Sequence, residues 1–360
     1  MSQVKVIVAG CTELGNHIAR GVLNDSKADL MGMVWSPETA GARKAGWCHP
    51  DPVIVSRITE KRLVYADPIT YDAVRTVSEG YVESIIANVS DRIGSDAHRP
   101  DILIQCWRSD IFPKDVLDFP RYCLGIHPTP LRFGIGRGAA ALNHTLIEMY
   151  DVEADELPFW ENAIFIMEPK PDTGKIVETR EFKITYLDNM TTLLHKVAYT
   201  SRLMFKNIIN RVYYNTFDEH FIEAPTGKIM SYPHRTPLDS AFNFKHKAMH
   251  IIGLVKASTH PYSGAFFNSQ IRLDSNLVYV WDAYAKERIR GGQYSSGGQS
   301  GKVVAISPEG IEVTTGDLSL NIVITSIGID DAIFIPYELA QIVNLCVGDN
   351  MAYMQTNIWE

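Results

Sequence analysis

The sequence lacks several features that would assign it to a specialised class of protein. Its five cysteines are scattered, and no two of them form a Cys-x-x-Cys pair. Because disulfide frameworks and structural zinc sites use closely spaced cysteines, we expect reduced thiols in a cytoplasmic protein. No run of about 18 apolar residues is present, so no membrane-spanning helix is expected. The first apolar segment begins at Val4, so no signal peptide is expected.

The chain also has no excess of basic residues. Its 34 lysines and arginines are outnumbered by 42 aspartates and glutamates, which gives a formal net charge of −8. Since nucleic-acid affinity rests largely on contacts between basic side chains and phosphates, a broad nucleic-acid surface is not expected. A local basic patch is still compatible with this composition.

The length and the hydrophobic pattern predict two domains. At 360 residues the chain exceeds the size of about 250 to 300 residues at which a single core stops growing. Apolar strands alternate with amphipathic helices over residues 1–210, which is typical of a Rossmann-like, mostly parallel α/β sheet. Residues 211–240 lose this periodicity and are the predicted linker. Short strand-like runs over residues 241–335 favour a smaller OB-like β-barrel, and residues 336–360 favour a helical tail.

The first domain opens with a strand over residues 4–9, a glycine turn and a helix over residues 11–23. The turn reads Gly-Cys-Thr-Glu-Leu-Gly, which has neither the GxGxxG nor the P-loop spacing, so no NAD or ATP site is predicted. Separate helical patterns follow at residues 72–78 and 81–89. A long amphipathic helix is predicted over residues 189–210.

Two polar side chains follow two apolar strands near the centre of the chain. His127 follows a strand over residues 122–126, and Asp172 follows the apolar run that begins at Asn162. Ligands bind beyond the carboxyl ends of strands in α/β sheets, so we expect both side chains near the chemistry. A histidine can shuttle a proton near neutral pH, and a carboxylate beside it would orient it and stabilise its charge. The alternative is a structural histidine and an ordinary turn aspartate.

Three ordered motifs give this region a resemblance to a known family. Residues 125–131, 137–140 and 172–174 resemble the N-x-H-P-S/T-x-L-P, R-G-x-A-P and D-x-G motifs of the N10-formyltetrahydrofolate-dependent formyltransferases. The segment HPYSGAFF at residues 260–267 is similar to the P-Y-P-G-A-F motif of the family's C-terminal domain. The similarity covers most of residues 4 to about 329.

The resemblance implies transfer of a formyl group from N10-formyltetrahydrofolate to a primary amine. The amine would attack the formyl carbon, His127 would stabilise the oxyanion or handle a proton, and Asp172 would orient and charge His127. We expect the acceptor to be an amino sugar carried on a nucleotide, because the chain is acidic and the loop after His127 departs from the family. Methionyl-tRNA and a folate-binding homologue without turnover are the alternatives. No membrane partner is expected, and a homo-oligomer is compatible with the sequence.

The resemblance also assigns residues to each substrate. The folate would contact two segments, represented by Ile111, Phe112, Val116, Met167, Glu168 and Lys170. The acceptor side would be formed by Thr129, Arg132, Arg137, Gly138, Asn143 and Trp107. Purely structural roles stay open for Arg132, as a solvated loop residue, and for Trp107, as a core residue. His246 and His250 have the spacing of a metal pair on a helix, but no third ligand accompanies them, so no metal is predicted.

The main departure from the family is Gly125, which stands where the family has an asparagine that helps to bind the oxyanion. Loss of one such donor typically costs about 10²–10³ in rate. Asn143, Thr129 or a water molecule could take over the donation. Otherwise the enzyme is slow, or catalysis has been lost.

Overall fold

A computed structural model describes most of the chain, namely residues 2–38, 48–58, 62–86, 99–107, 111–138, 140–151, 159–223, 230–269, 277–288, 299–317, 319–329 and 332–351. The chain divides into two compact units. The first unit comprises Met1–Ala141, Phe159–Ile184 and Thr192–Pro233, and the second comprises Leu142–Pro158, Thr185–Thr191 and His234–Glu360. The domain limits expected at residues 210, 240 and 335 stay predictions.

The first unit is built on a twisted sheet of mixed direction. Its main strands are β1 (Val4–Gly10), β2 (Ala28–Trp35), β3 (Leu63–Tyr65), β4 (Ile102–Cys106), β5 (Tyr122–His127), β7 (Phe159–Ile166) and β8 (Ile176–Lys183). They lie in the order β3-β2-β1-β4-β5-β7-β8. The short strands β6 (Ile135–Arg137) and β9 (Met230–Ser231) pair separately, in parallel. The helices that belong wholly or mainly to this unit are α1 (Glu13–Leu23), α2 (Pro52–Val55), α3 (Tyr71–Ile86), α4 (Lys114–Asp118) and α6 (Met190–Tyr213).

The central strands of the first unit's sheet are buried on both faces. Alternate side chains of β1 enter different clusters, with Val6 and Val8 in one and Ile7 and Ala9 in the other. Helices α1 and α6 contribute to the first cluster, whereas α3 contributes to the second. Strands covered on both faces are near-continuously apolar, which is the pattern that the sequence has at β1, β4 and β5.

The expected mostly parallel sheet is confirmed, since β3, β2, β1, β4 and β5 pair in parallel, but two details of this unit were not predicted. The strand that precedes Asp172, β7, runs antiparallel to β5, and β8 runs antiparallel to β7. An apolar run carries no information about strand direction, so the sequence could not distinguish this arrangement from a parallel one. The two helical patterns at residues 72–78 and 81–89 form a single helix, α3, because Glu79 and Gly80 do not interrupt it.

The second unit contains an antiparallel sheet. Its strands are β10 (Ala265–Asn268), β11 (Leu277–Glu287), β12 (Val303–Ser307), β13 (Gly310–Thr314), β14 (Leu320–Ile329) and β15 (Ala332–Phe334), and its helices are α5 (Ala141–Asp151), α7 (Ala248–Ala257) and α8 (Pro336–Ile342). The order is β10-β11-β14-β13-β12, with β15 paired to β14. Within the strands that the structure describes, this sheet does not close into a barrel. None of the helices in the described ranges is long and apolar enough to cross a membrane.

The contact between β7 and α6 predicts a measurable contribution to stability. The buried amide of Asn162 donates to the Ser201 hydroxyl at 2.7 Å and to the Thr200 hydroxyl at 3.1 Å. Asn162→Ala leaves both hydroxyls without this partner, so the free energy of unfolding should fall by about 1–3 kcal/mol in urea denaturation. Asn207→Ala is the matched control, because Asn207 is an exposed asparagine of α6, and a change within about 0.5 kcal/mol is expected. Equal losses in the two variants would contradict this role.

Candidate active site

His127 ends a buried strand and is only partly exposed to solvent. Strand β5 lies between β4 and β7, and its residues Leu124 and Ile126 are buried. Burial fixes the backbone of β5, and the strand ends with the His127 side chain 15% exposed. The ring is therefore held by the sheet and is still reachable from outside it.

Asp172 reaches His127 through a tight turn after β7. The Met167 amide donates to the Cys123 carbonyl at 2.9 Å, which continues the pairing with β5 by one residue. The turn then folds back, so that the Ile166 amide donates to the Lys175 carbonyl at 2.8 Å. A side chain at Gly174 would collide with the Ile166 carbonyl oxygen, so the turn requires glycine there.

The turn places the carboxylate beside the ring. Asp172 has a φ of 54°, in the left-handed region that aspartate tolerates better than most residues. Its Oδ1 lies 3.9 Å from Nδ1 of His127, and the carboxylate is 21% exposed. The structure thus brings together the two side chains that the sequence singled out, although through an antiparallel strand and a returning turn.

The other ring nitrogen of His127 has a backbone partner that the sequence did not indicate. Nε2 lies 2.8 Å from the carbonyl oxygen of Gly136 in β6. The Thr129 amide donates to the His127 carbonyl at 2.9 Å, which starts the loop that leads to Gly136. A backbone carbonyl leaves no trace in the side-chain pattern, so only the fold reveals this contact.

The space beside Gly125 is filled by an aromatic ring. Gly125 is paired with Phe165 across β5 and β7, and a Cβ at residue 125 would lie 2.7 Å from Cζ of Phe165. Phe165 is 5% exposed and belongs to a buried cluster with Leu131 and Ala163. The family motif has an oxyanion-binding asparagine at this position, whereas here the space is packed with apolar atoms. Phe165 was missed because an apolar residue in an apolar strand reads as ordinary core.

Arg132 lies in the loop after His127 and is engaged by two carboxylates. Its Nε lies 2.6 Å from Oε2 of Glu161, and its Nη2 lies 2.8 Å from Oε1 of Glu181. Glu161 is only 2% exposed, and burial raises the pKa of its carboxyl, while Arg132 opposes that effect. The arginine ties the loop to β7 and β8, so the alternative of a merely solvated residue is wrong.

The two segments predicted to hold folate meet at one apolar cluster. Phe112 and Val116 are buried in it, and Met167 packs against it. Cys123 belongs to the same cluster. Burial of its thiol raises the pKa of Cys123 to about 12, so the thiol stays protonated. The remaining candidates are exposed: Ile111 before α4, and Glu168 and Lys170 in the turn, where both contact the Thr173 hydroxyl.

The residues predicted for the acceptor differ in their burial and in their contacts. Thr129 is fully buried, and its hydroxyl has no hydrogen-bond partner among the described residues. Trp107 has a φ of 57° and packs partly against the core of the first unit. Gly138 has a φ of 97° and closely approaches the Tyr232 carbonyl. Asn143 lies in the second unit, where its amide donates to the Ala257 carbonyl at 2.6 Å. The side chain of Arg137 lies outside the described residues.

The histidine pair of the second unit is engaged by a single carboxylate. The rings of His246 and His250 lie 5.1 Å apart, and Nδ1 of His250 lies 2.8 Å from Asp151. Burial lowers the pKa of His246, and the neighbouring His250 lowers it further. In the ranges that the structure covers, no group of three or more His, Cys, Asp or Glu side chains could hold a metal ion.

Comparisons with known proteins point to one family. The family model of the formyl transferase C-terminal domain matches residues 235–329. The methionyl-tRNA formyltransferase of Nitrosomonas europaea is 27% identical over 236 residues, which span 62% of this chain and 64% of that protein. A methionyl-tRNA formyltransferase of Francisella tularensis is 26% identical over 221 residues, 61% of this chain and 63% of that protein. The chain thus spans less than two thirds of the length of these curated relatives.

Solved structures share the fold at low sequence identity. HypX from Aquifex aeolicus, in complex with tetrahydrofolic acid, has a TM-score of 0.61 at 14% identity, covering 98% of this chain and 51% of its own. An N-formyltransferase from Helicobacter canadensis, in complex with folinic acid and dTDP-3-aminofucose, has a TM-score of 0.55 at 12% identity. The matched region covers 89% of this chain and 99% of the Helicobacter canadensis chain.

The packing of Phe165 against Gly125 predicts a coupled pair of substitutions. Gly125→Ala places a methyl group against the ring and should lower the free energy of unfolding by about 1–3 kcal/mol. Phe165→Leu removes the far end of the ring, so the same alanine should cost less in that background. A double-mutant cycle measured by urea denaturation should give a coupling energy of about 0.5–3 kcal/mol. Strictly additive effects would mean that the two residues are not in contact.

Burial of Glu161 predicts a pH-dependent contribution to stability. Desolvation raises the pKa of this carboxyl above its ordinary value of 4.5, so the folded chain binds the proton more tightly than the unfolded chain. The free energy of unfolding therefore falls as the pH rises from about 4.5 through the pKa of the folded state. Glu161→Gln removes this contribution, so the wild type should lose stability relative to the variant as the pH rises across that window.

Glu181→Gln is the matched control for this experiment, because Glu181 faces the same arginine but is 54% exposed. Because this variant keeps Glu161, its stability should fall across the same pH window as in the wild type. If the difference between wild type and Glu161→Gln is also independent of pH, Glu161 is not the group responsible.

Proposed function

We propose, because the chain belongs to the formyltransferase family, that it transfers a formyl group from N10-formyltetrahydrofolate to a primary amine. The observation that carries the proposal is the approach of the His127 ring to Asp172, at 3.9 Å, from the end of β5 and the turn after β7. A partly buried imidazole facing a carboxylate is suited to accept and return a proton. The motifs around both residues are those that resemble the family.

The proposed reaction proceeds by addition and elimination at the formyl carbon. The amine nitrogen of the acceptor attacks that carbon, a carbon–nitrogen bond forms, and the formyl oxygen becomes an oxyanion. When the oxyanion collapses, the bond from the formyl carbon to N10 of the folate breaks. The proton lost by the attacking amine passes through His127 to N10, and Asp172 stabilises the charged ring meanwhile. Positioned proton transfer of this kind contributes about 10²–10⁴ to the rate.

The folate would lie along the two segments that share the apolar cluster. Phe112, Val116 and Met167 provide an apolar base, and the turn at residues 167–175 lies next to it. The amides of Val116 and Met167 are already bonded to Asp115 and Cys123, so the pterin would meet other backbone groups of these segments. A flat ligand rich in donors and acceptors suits exposed backbone edges of this kind. Glu168 and Lys170 are exposed in the same turn and would complete the folate site.

The preferred acceptor is an amino sugar carried on a nucleotide. The N-formyltransferase of Helicobacter canadensis shares the fold over 99% of its own length, and the acidic composition of this chain suits a small acceptor better than a nucleic acid. Gly138 and Trp107 would line the acceptor side with the backbone of Arg137 in β6, while the buried Thr129 would act through the packing of this loop. Arg132 is neutralised by Glu161 and Glu181, so we assign it to holding the loop instead of binding an acceptor.

Methionyl-tRNA is the second candidate acceptor. Curated relatives at 26–29% identity are methionyl-tRNA formyltransferases. The matched C-terminal domain at residues 235–329 would then contribute to acceptor binding. We also propose that the antiparallel sheet in this region is a variant of an OB-like module. In the described strands, β10 and β12 at the two ends of the sheet do not pair with each other, so the barrel is not closed.

The proposed function predicts a loss of turnover without a loss of folate binding. His127→Ala should lower kcat by about 10²–10⁴ in an assay of tetrahydrofolate release, and Asp172→Asn should lower it in the same direction. His220→Ala is the matched control, because His220 is an exposed histidine of the same unit. Unchanged kcat in His127→Ala, with a transferable acceptor present, would contradict the assignment.

A panel of acceptors distinguishes the candidate functions. The purified chain is supplied with N10-formyltetrahydrofolate together with a nucleotide-linked amino sugar, methionyl-tRNA or no acceptor. Formylation of the amino sugar is expected, and formylation of the tRNA alone would replace the preferred acceptor. Formate release without an acceptor would indicate hydrolysis. Folate binding without any turnover would mean that the chain is a binding homologue, and the absence of folate binding would overturn the proposal.

A further inference from the structure

The contact between His127 and Gly136 fixes which ring nitrogen carries a proton. Nε2 lies 2.8 Å from the Gly136 carbonyl oxygen, which is within hydrogen-bond distance. A carbonyl oxygen only accepts hydrogen bonds, so the hydrogen between the two atoms must belong to Nε2. This holds for the neutral ring and for the charged ring alike.

We infer that Gly136 is a positioning residue that holds neutral His127 as its Nε2–H tautomer, which leaves Nδ1 as the ring nitrogen that gains and loses the proton. The role of Nδ1 in formyl transfer rests on the proposed function, whereas the assignment of the tautomer does not. In the proposed reaction, the proton of the attacking amine would pass to Nδ1 and from there to N10 of the departing folate. The hydrogen on Nε2 would stay in place throughout.

The surroundings of Nδ1 suit a nitrogen that exchanges a proton. Oδ1 of Asp172 lies 3.9 Å away, which is longer than a hydrogen bond but close enough for electrostatic attraction. The carboxylate therefore faces Nδ1 without already accepting its proton. Both side chains are largely shielded, at 15% and 21% exposure, so solvent weakens their attraction only in part.

The position of the Gly136 carbonyl is set by the packing of its own loop. Gly136 has a φ of 81°, and a Cβ there would lie 2.7 Å from both Cβ and Cγ2 of Thr129. The flanking residues Ile135 and Arg137 are paired with Met230 and Ser231 of β9. The backbone on either side is thus fixed, and a side chain at residue 136 would have to move the carbonyl or the buried threonine. In this way glycine at 136 and threonine at 129 together aim the carbonyl at the ring.

The arrangement differs from a histidine whose tautomer is fixed by a carboxylate. In the Ser-His-Asp triad, the carboxylate accepts from one nitrogen, and the opposite nitrogen handles the proton. Here the backbone carbonyl takes the place of that acceptor, and the carboxylate faces the working nitrogen. Removing the carbonyl contact should therefore affect the tautomer of the ring even when Asp172 is intact.

The test is a long-range ¹H–¹⁵N correlation spectrum of the ¹⁵N-labelled full chain, recorded with His127 neutral. The His127 signals are assigned by their loss in His127→Gln. The expected wild-type spectrum shows a pyrrole-type Nε2 and a pyridine-type Nδ1. Gly136→Ala should convert this single pattern into a mixture of tautomers. Gly134→Ala is the matched control, since Gly134 has a φ of 71° in the same loop but its carbonyl does not hold the ring.

A kinetic measurement accompanies the spectra. Gly136→Ala should lower kcat of formyl transfer with little change in KM for the folate, by at most the factor of about 10⁴ that accompanies a wrong tautomer in the Ser-His-Asp enzymes. A pyrrole-type Nδ1 in the wild type overturns the inference, and so does a Gly136→Ala variant with an unchanged tautomer. If Gly136→Ala does not fold, the wild-type spectrum decides. An Nε2–H tautomer in a chain that transfers no formyl group would defeat the proposed function and leave the inference standing.

Discussion

The candidate site depends on how firmly one imidazole ring is held. The Gly136 carbonyl lies 2.8 Å from Nε2 of His127, and Asp172 lies 3.9 Å from Nδ1. One contact is made by a loop packed around Thr129, and the other is made by a turn that needs glycine at residue 174. Both segments follow strands of the buried sheet, so the stability of that sheet determines the geometry of the ring. The ion pairs of Arg132 with Glu161 and Glu181 tie the same loop to β7 and β8.

Oxyanion stabilisation would fall to the His127 ring, because Gly125 has no side chain that could donate a hydrogen bond. The space beside Gly125 is filled by Phe165, so a side-chain amide has no room there without movement of the aromatic ring. Nε2 is committed to Gly136, which leaves an Nδ1–H of the charged ring as the donor that His127 offers to a developing oxyanion. Proton transfer and oxyanion stabilisation would then use the same atom. Asp172 faces this atom at 3.9 Å.

The sequence revealed the participants of the site better than their arrangement. The apolar runs predicted β1, β4 and β5, and the family motifs singled out His127 and Asp172. The antiparallel direction of β7 was not predictable, because direction depends on pairing between distant segments. Phe165 and Glu161 were missed for the same reason: their partners, Gly125 and Arg132, are brought to them by strand register and a loop. The role of Gly136 lies in a carbonyl group, which every residue has, so no residue type could signal it.

The most direct test of this account is a crystal structure of the chain with bound 5-formyltetrahydrofolate. The account predicts that, with the ring charged, the formyl oxygen accepts from Nδ1–H of His127 at about 2.7–3.2 Å, while Nε2 stays bonded to the Gly136 carbonyl. Phe165 should still fill the space beside Gly125. A formyl group bound away from His127 and Asp172, or one seated against Nε2 with the Gly136 contact broken, would contradict it.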